Sequence, residues 1–168
     1  MKQLFIRTLS VAAFAATAFA TNAIAQAPVA PAAPTCDNPK PPPKELVVKD
    51  IEAGTGRPAK FRTAVLVGYT GYFYDGCKPD FKGEEFDSSK GRAAPLGFMI
   101  GAGRVIKGWE EGLIGMKEKD STRVLIIPPD KAYGAEGRPG KIPPNATLVF
   151  EIYMHAFVHY PSDEESKR

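Results

Sequence analysis

Several β-rich runs surround one short segment with helical periodicity, and this arrangement restricts the fold more than any other feature of the chain. The runs cover residues 63–74, 121–127 and 148–158. In the last of them, Leu148, Phe150, Ile152 and Met154 alternate with other residues and fall on one face of a strand. Within residues 105–116, apolar side chains recur at steps of three and four, as on one face of a helix. The sequence therefore predicts several strands around one short helix.

Glycine, proline and polar residues predict where other elements begin and end. Residues 46–51 alternate as a strand does, and the Gly-Thr-Gly triplet at 54–56 is expected to end that strand. Residues 78–85 are mostly polar and predict an excursion outside the sheet. Two prolines after residue 127 are expected to stop the strand before them. Residues 134–144 contain three glycines and three prolines and predict a loop.

The N-terminal residues have the pattern of a secretory signal peptide. Lys2 and Arg7 give a positive start, residues 10–20 are almost all small or apolar, and a small-x-small triplet at 23–25 offers a cleavage site. The apolar stretch is shorter than the ~20 residues of a typical membrane span. We therefore expect residues 1–25 to be removed, leaving a periplasmic or secreted protein without stable membrane insertion. An uncleaved anchor is the alternative.

The charge balance argues against a nucleic-acid partner. The chain has 22 lysines and arginines and 19 acidic residues, and removal of the predicted signal peptide takes away two cations and no acid. The mature net charge is then +1, without the basic excess that nucleic-acid binders carry. The remaining 143 residues are enough for one domain with a sizeable core.

Two segments flank the predicted domain at 45–160 and are not expected to fold on their own. Residues 26–44 are rich in proline and alanine, which favours extended geometry and buries little apolar surface, so they predict a tether. A proline-rich docking ligand is the alternative. Residues 161–168 form a charged tail.

The chain has two cysteines, Cys36 in the predicted tether and Cys77 in the predicted domain. An even number of cysteines in an exported protein favours a disulfide. Closing a loop of about 40 residues would stabilise the protein by roughly 4 kcal/mol on the chain-entropy model. Two free thiols are the alternative that the sequence leaves open.

Five short motifs run through the chain from residue 69 onward. They are YTG (69–71), FDSS (86–89), VIKGWEEG (105–112), AYG (132–134) and GKIPPNATLVFEI (140–152). They hold many aromatic and aliphatic residues and almost no groups suited to proton transfer or metal binding. In this order and at these spacings they closely resemble the FKBP family of peptidyl-prolyl cis/trans isomerases, over residues 46–158. The resemblance implies an α+β domain with a curved antiparallel β-sheet wrapped around one short α-helix.

The resemblance also implies a pocket for the substrate proline between helix and sheet. Trp109 matches the floor on which the proline ring lies. The apolar walls would come from Tyr69, Phe86, Leu96, Val105, Ile106, Ile142 and Phe150. The Tyr133 hydroxyl and the Ile106 N–H match donors to the substrate. The Asp87 carboxylate matches a group that meets Tyr69 and Arg92 and helps to hold the twisted amide, so Asp87, Tyr133 and Ile106 are the candidate catalytic residues.

The chain departs from the best-known small members of that family near the pocket. Leu96 stands where an aromatic wall is common, and about seven extra residues, with Cys77 among them, precede the FDSS motif. Arg104, Arg138 and Lys141 occupy rim positions that are often acidic, variable or aliphatic in the family. This basic rim predicts a preference for acidic residues flanking the proline.

Other residues have ordinary structural interpretations. His155 and His159 are expected to be packed or solvated rather than catalytic, and Glu110 and Glu111 are expected to form a solvated helix face. Without the resemblance, the apolar pocket residues would be equally well explained as ordinary core, and Asp87 as the cap of a turn.

Rotation about an X-Pro bond needs little more than such a pocket. The barrier of ~18–20 kcal/mol comes from amide resonance. Before proline both isomers are populated, and they exchange in tens to hundreds of seconds. The twisted transition state has less charge separation than the planar amide, so a dry apolar pocket favours it. Neither a cofactor nor a metal is required.

The sequence therefore predicts a prolyl isomerase that assists the folding of exported proteins. Its partners would be proline-containing polypeptide segments and rapamycin-type macrolides, and a monomer is the default. One alternative is a module or chaperone of the cell envelope that binds proline segments without catalysis. Another is an envelope interaction protein that acts through residues 26–44 or an exposed sheet edge.

Overall fold

The computed structural model describes residues 36–160. The predicted signal peptide, the tether before residue 36 and the charged tail lie outside the described residues. Within them are six strands, one α-helix and one 3-10 turn. The elements are β1 (Val47–Pro58), β2 (Thr63–Tyr74), β3 (Lys82–Ser88), β4 (Leu96–Met99), α1 (Lys107–Gly112), β5 (Lys117–Ile127), a 3-10 turn (Pro129–Lys131) and β6 (Leu148–His159). No helix in this part of the chain is long and apolar enough to span a membrane.

The six strands form one antiparallel sheet in the order β1-β5-β6-β2-β3, and β4 also pairs with β2. β6 runs along one edge of β2, from Thr63 to Phe73. β4 and β3 follow one another along the other edge, β4 opposite residues 64–67 and β3 opposite residues 70–74. The prediction of a curved antiparallel sheet around one short helix is confirmed.

The helix packs directly on β5 because two of its residues are glycines. A Cβ atom at Gly108 would lie 2.4 Å from the Ile127 side chain, and one at Gly112 would lie 2.7 Å from Leu125. This close approach turns Trp109 into the core, where it is only 3% exposed. The residues of β6 that bury their side chains in the same core include those predicted from alternation: Leu148, Phe150, Ile152 and Met154.

α1 is shorter at both ends than the predicted helix at 105–116. Ile106 has an extended backbone, with φ −61° and ψ 150°, and caps the helix instead of joining it. After α1 the chain pairs with another segment, because the Gly115 N–H donates to the Ala59 carbonyl and the Met116 carbonyl accepts from the Ala59 N–H, both at 2.8 Å. The apolar periodicity continues past the helix because Met116 is buried in the core without being helical.

Two predicted boundaries are wrong. β1 continues through the triplet at 54–56, since β5 pairs with it as far as Pro58 and a shift in register between Thr55 and Pro58 accommodates Gly56. Gly54 has φ +63°, and a Cβ atom there would lie 2.3 Å from the Lys119 carbonyl oxygen. The polar segment at 78–85 leaves the sheet only in its first half, because β3 begins at Lys82.

The residues before β3 cover part of the outer face of the sheet. Val124 and Val149 are buried there with Ile126 in a second, smaller apolar cluster. Phe81 packs on this cluster and stacks on Tyr74, with ring centroids 5.3 Å apart and planes 10° from parallel. Phe81 has φ 60°, an uncommon value for an aromatic residue. The extra residues lie between Tyr74 and Phe86, and we call this segment the insertion. The insertion therefore contributes its own packing to the domain.

Cys36 and Cys77 form a disulfide that joins the start of the described chain to the turn after β2. Their Cα atoms are 5.8 Å apart, within the usual range for a disulfide. We call residues 36–44, which belong to the predicted tether, the strap.

Further contacts hold the strap against the domain. The Lys40 N–H donates to the Gly76 carbonyl at 3.0 Å, and the Tyr74 hydroxyl donates to the Lys40 carbonyl at 3.1 Å. The Lys40 ammonium lies 5.4 Å from the centre of the Phe81 ring. A Cβ atom at Gly76 would lie 2.1 Å from the Lys40 carbonyl oxygen, so only glycine permits this approach. The strap is thus bound to the same insertion that leads into β3.

Candidate active site

A pocket of about 140 Å³ opens between α1, the inner face of the sheet and the loop after the 3-10 turn. It brings together all the residues predicted to bind substrate or catalyse, and only the supporting Arg92 lies outside its lining. The lining residues are Tyr69, Phe86, Asp87, Leu96, Arg104, Val105, Ile106, Trp109, Tyr133, Arg138, Lys141, Ile142 and Phe150.

The floor and walls of the pocket are aromatic rings that meet edge to face. The Trp109 ring lies 5.2 Å from Tyr69 and 5.2 Å from Phe150, with planes 79° and 88° apart. Phe150 in turn meets Phe86 at 5.6 Å and 84°. Such pairs are worth about 0.5–1.5 kcal/mol each beyond the area that they bury. The rings therefore form a rigid, apolar surface.

The glycine of the YTG motif makes room for two of these rings. A Cβ atom at Gly71 would lie 2.7 Å from Phe150 and 2.9 Å from Phe86. Real Cβ atoms do not approach neighbours so closely, so a larger residue would push the walls apart. Gly71 therefore sets the positions of two pocket walls although it does not line the pocket.

Asp87 lies at the polar edge of the pocket and accepts contacts from three side chains. The Tyr69 hydroxyl donates to one carboxylate oxygen at 2.9 Å. The other oxygen lies 2.6 Å from an Arg92 nitrogen and 3.2 Å from the Lys141 ammonium. Arg92 is fixed by a further bond from its Nε to the Ser88 carbonyl at 2.9 Å.

These contacts change the acidity of both partners. Burial alone would raise the pKa of the Asp87 carboxyl. The hydrogen bonds from Tyr69 and Lys141 and the charges of Lys141 and Arg92 outweigh burial and hold that pKa below its ordinary value. Burial, with the hydrogen bond to Asp87, raises the pKa of Tyr69 to about 12. At neutral pH the pair is a carboxylate that accepts from a neutral phenol.

Two candidate donors to a substrate belong to residues that line the pocket and have no partner among the described residues. The buried Trp109 Nε1–H, in the pocket floor, also has none. The Ile106 N–H is free because this residue precedes the first turn of α1, whereas its carbonyl accepts from the Trp109 N–H at 2.9 Å. The Tyr133 hydroxyl lines the pocket and makes no hydrogen bond within residues 36–160. Both are available to a substrate carbonyl, as the resemblance of the motifs implied.

Glu110 has a role that sequence reasoning missed. Its carboxylate accepts from the N–H groups of Gly101 and Gly103, the latter at 2.9 Å. The expectation that Glu110 belongs to a purely solvated face is therefore wrong, because the loop before α1 folds over that face. Glu111 is exposed and pairs with Lys131. The two glycines ahead of the helix, both with positive φ, are the sequence signal for such a loop.

The two histidines lie away from this pocket. His155 packs edge-on against Tyr153 on the outer face of the sheet, at 4.9 Å. The Nδ1 atom of His159 lies 3.1 Å from the Thr63 hydroxyl. Among the described residues, no three side chains of His, Cys, Asp or Glu lie together in a way that could hold a metal ion.

A larger depression of about 380 Å³ lies on the outer face, beside Gly68 and His155. Its lining includes Ser89, Lys90 and Glu151, so charged and hydroxyl groups face it. It lacks the enclosing rings and the two free donors of the inner pocket. The inner pocket is therefore the better candidate for the active site in spite of its smaller volume.

Comparison with known proteins identifies the family. Residues 56–155 match the family model described as FKBP-type peptidyl-prolyl cis-trans isomerase. The chain belongs to this family. The resemblance found from the five motifs is thereby confirmed, and so is the class of enzyme.

Individual relatives cover most of the FKBP domain. An FK506-binding protein of Neisseria meningitidis serogroup B is 45% identical over 109 residues, which are 65% of this chain and 93% of that protein. FK506-binding protein 1B of Aspergillus fumigatus is 53% identical over 91 residues, 54% of this chain and 74% of the relative. The crystal structure of a peptidyl-prolyl cis-trans isomerase from Pseudomonas syringae pv. tomato is similar with a TM-score of 0.55 and 34% identity, covering 68% of this chain and 76% of that one.

Proposed function

We propose that the protein isomerises X-Pro bonds by enclosing the proline over Trp109, and that its substrates are exported polypeptides. The strongest support for the site is the ring enclosure of Trp109, with Asp87 and two unpartnered donors at its edge. Membership of an isomerase family supports the reaction.

The chemistry rests on desolvation and on a few fixed dipoles. Rotation weakens the charge separation of the planar amide, so a substrate transferred from water to this pocket loses less stabilisation in the twisted state than in the planar state. The Ile106 N–H and the Tyr133 hydroxyl would hold substrate carbonyls. Asp87, kept ionised by Arg92 and Lys141, would help to hold the twisted amide. No covalent intermediate is needed.

The first test is catalysis of cis-to-trans isomerisation in a short Leu-Pro or Phe-Pro peptide by the mature protein. Trp109→Leu, Asp87→Ala and Tyr133→Phe should each lower kcat/KM, the last by roughly tenfold for one lost hydrogen bond. Tyr153→Phe makes the same chemical change on the outer face and should leave turnover unchanged. Each variant must first be shown to be folded by circular dichroism.

The relatives named as FK506-binding proteins support macrolide binding as a property of this pocket. Rapamycin should compete with the peptide and inhibit the wild-type protein. Failure to inhibit, with catalysis intact, would remove macrolides from the proposal without affecting the isomerase.

A binding module without useful turnover is the second candidate, and one contact favours it. Lys141 shares the Asp87 carboxylate with Arg92, which could weaken the interaction of Asp87 with a substrate. Trp109 is the only tryptophan, so its fluorescence reports occupancy of the pocket directly. Peptide-dependent fluorescence without any acceleration of isomerisation would establish the binding module in place of the enzyme.

Export to an oxidising compartment is supported by the disulfide of the strap, because such bonds persist in periplasmic and secreted proteins. Cell fractionation with a mass measurement of the N-terminus would test cleavage before residue 26. An unprocessed cytoplasmic protein would contradict the export role.

The proposed role in folding predicts that this protein accelerates the refolding of an exported protein whose slow step is isomerisation of an X-Pro bond.

A further inference from the structure

The mouth of the pocket carries more positive charge than its own carboxylate can neutralise. Three cations and one anion line it: Arg104, Arg138, Lys141 and Asp87. Asp87 is already occupied by Tyr69, Arg92 and Lys141. Among residues 36–160, no carboxylate forms an ion pair with Arg104 or Arg138. Both guanidinium groups are therefore unpaired at the entrance to the site.

The acidic residues that follow Arg104 most closely in sequence make contacts with other groups. The carboxylate of Glu110 accepts from Gly101 and Gly103, in the loop that carries Arg104. That contact fixes the loop without neutralising the arginine. Glu111 on the next position of α1 pairs with Lys131.

Arg138 stands on a turn that is itself well fixed. The Arg138 N–H donates to the Ile142 carbonyl and the Ile142 N–H donates to the Arg138 carbonyl, both at 2.8 Å. Gly137, with φ +64°, permits the turn, since a Cβ atom there would lie 2.4 Å from the Ile142 carbonyl oxygen. Ile142 is buried in the pocket wall and anchors the turn. Arg138 and Lys141 therefore project from one short, rigid hairpin at the pocket mouth.

We propose that Arg104 and Arg138 form an anion subsite that binds a carboxylate side chain, Asp or Glu, next to the X-Pro pair of the substrate. This inference rests on the proposed isomerase function and names a substrate class for the same pocket. Lys141 contributes less, because it already pairs with Asp87. Both arginines are exposed, so the subsite acts through charge attraction that salt screens.

The test uses matched peptides that differ only in Glu, Gln or Lys beside one Leu-Pro pair, assayed with the mature protein. At low salt, kcat/KM should be about fivefold higher for Glu than for Gln, as expected for an exposed ion pair. The Lys peptide should be the poorest substrate. Adding salt to roughly 0.5 M should bring the three values together, since the Debye length then falls to roughly 4 Å.

Two variants assign the preference to the subsite. Arg104→Gln combined with Arg138→Gln should reduce the ratio of Glu to Gln turnover to about one. Lys49→Gln combined with Lys119→Gln removes the same number of positive charges from exposed positions on β1 and β5 that do not line the pocket, and should leave the ratio unchanged. An equal loss of preference in this control would mean that only net charge matters and would overturn the subsite.

The Gln peptide separates this inference from the proposed function. Turnover of that peptide by the wild-type protein tests the isomerase alone, because the peptide carries no charge beside the proline. Turnover without any preference for Glu would remove the subsite and leave the isomerase. No turnover of any peptide would remove the proposed function itself.

Discussion

The hydroxyl of Tyr69 donates a 2.9 Å hydrogen bond to the carboxylate of Asp87 and so joins β2 to β3 at the edge of the pocket. The two residues are 18 positions apart in sequence and belong to different motifs. Tyr69 also supplies a ring that meets Trp109 edge to face. One side chain therefore contributes both to the apolar wall and to the polar edge.

Tyr69→Phe separates these two contributions, because the ring is kept and only the hydroxyl is lost. We expect kcat/KM for a Leu-Pro peptide to fall about tenfold, the effect of one hydrogen bond to a charged group. Tyr153→Phe, on the outer face, is the matched control. Unchanged turnover in Tyr69→Phe would show that the hydroxyl does not help to position Asp87.

Acid stability should report the ionisation of Asp87. Its pKa in the folded protein lies below the ordinary value of 3.8, so ionised Asp87 stabilises the fold above that pH. The stabilisation is lost as the pH falls through the depressed pKa. Asp87→Asn should lower the free energy of unfolding by about 2 kcal/mol at pH 7, and the difference should shrink below pH 3.8. Urea titrations at several pH values measure it; a difference that grows in acid would contradict it.

Tyr69 should make the stability of the protein fall at high pH, the opposite of the dependence expected from Asp87. Its pKa rises from 10.0 to about 12 on folding, so the protonated phenol contributes stability that is complete below pH 10 and is lost as the pH approaches 12. Burial also raises the pKa of Tyr74, but only for Tyr69 is the shift large, so spectrophotometric titration should find Tyr69 ionising last and Tyr69→Phe should remove that last step. Persistence of a step near pH 12 in the variant would mean that another tyrosine carries it.

The sequence predicted those parts of the fold and site that depend on local pattern or on the family motifs. β2 was predicted at its observed limits because its β-branched and aromatic residues are bounded by turn residues. The ten pocket-lining residues were predicted because the sequence resembles the family. The pairing of Lys141 with Asp87 did not, since nothing in residues 54 positions apart indicates which charges meet.

Tertiary pairing explains the elements that were mispredicted. Gly54 and Gly56 are unfavourable for a strand, yet β1 continues because β5 provides partners on one side. In β6, alternation indicated one buried face. Val149 on the other face is also fully buried, because the insertion brings Phe81 over it. Packing between residues that are distant in sequence cannot be predicted from a local pattern.

The disulfide of the strap should stabilise the domain without taking part in catalysis. It joins residues 41 positions apart, so its loss should cost about 4 kcal/mol on the chain-entropy model. Reduction, or Cys36→Ser with Cys77→Ser, should therefore lower the unfolding midpoint strongly. Below that midpoint, kcat/KM should be unchanged because neither cysteine lines the pocket. Alkylation with mass analysis checks the starting state; two alkylatable thiols in the native protein would contradict the bond.

Gly71→Ala should damage the pocket by overpacking. The new Cβ atom would lie 2.7 Å from Phe150 and 2.9 Å from Phe86, two rings that are held by their neighbours. We expect a loss of about 1–3 kcal/mol in the free energy of unfolding, together with reduced turnover because the walls move apart. Thermal and urea denaturation measure the first effect and peptide isomerisation the second.

Gly97→Ala is the matched control for this overpacking. Gly97 also lies in a strand, and its new Cβ atom would approach only the end of the Leu66 side chain, at 3.0 Å. Leu66 is 45% exposed and can move into solvent, so stability and turnover should change little. Equal losses in the two alanine variants would mean that strand glycines matter for backbone reasons. A loss confined to Gly71→Ala would show that the empty space above this glycine sets the distance between the pocket walls.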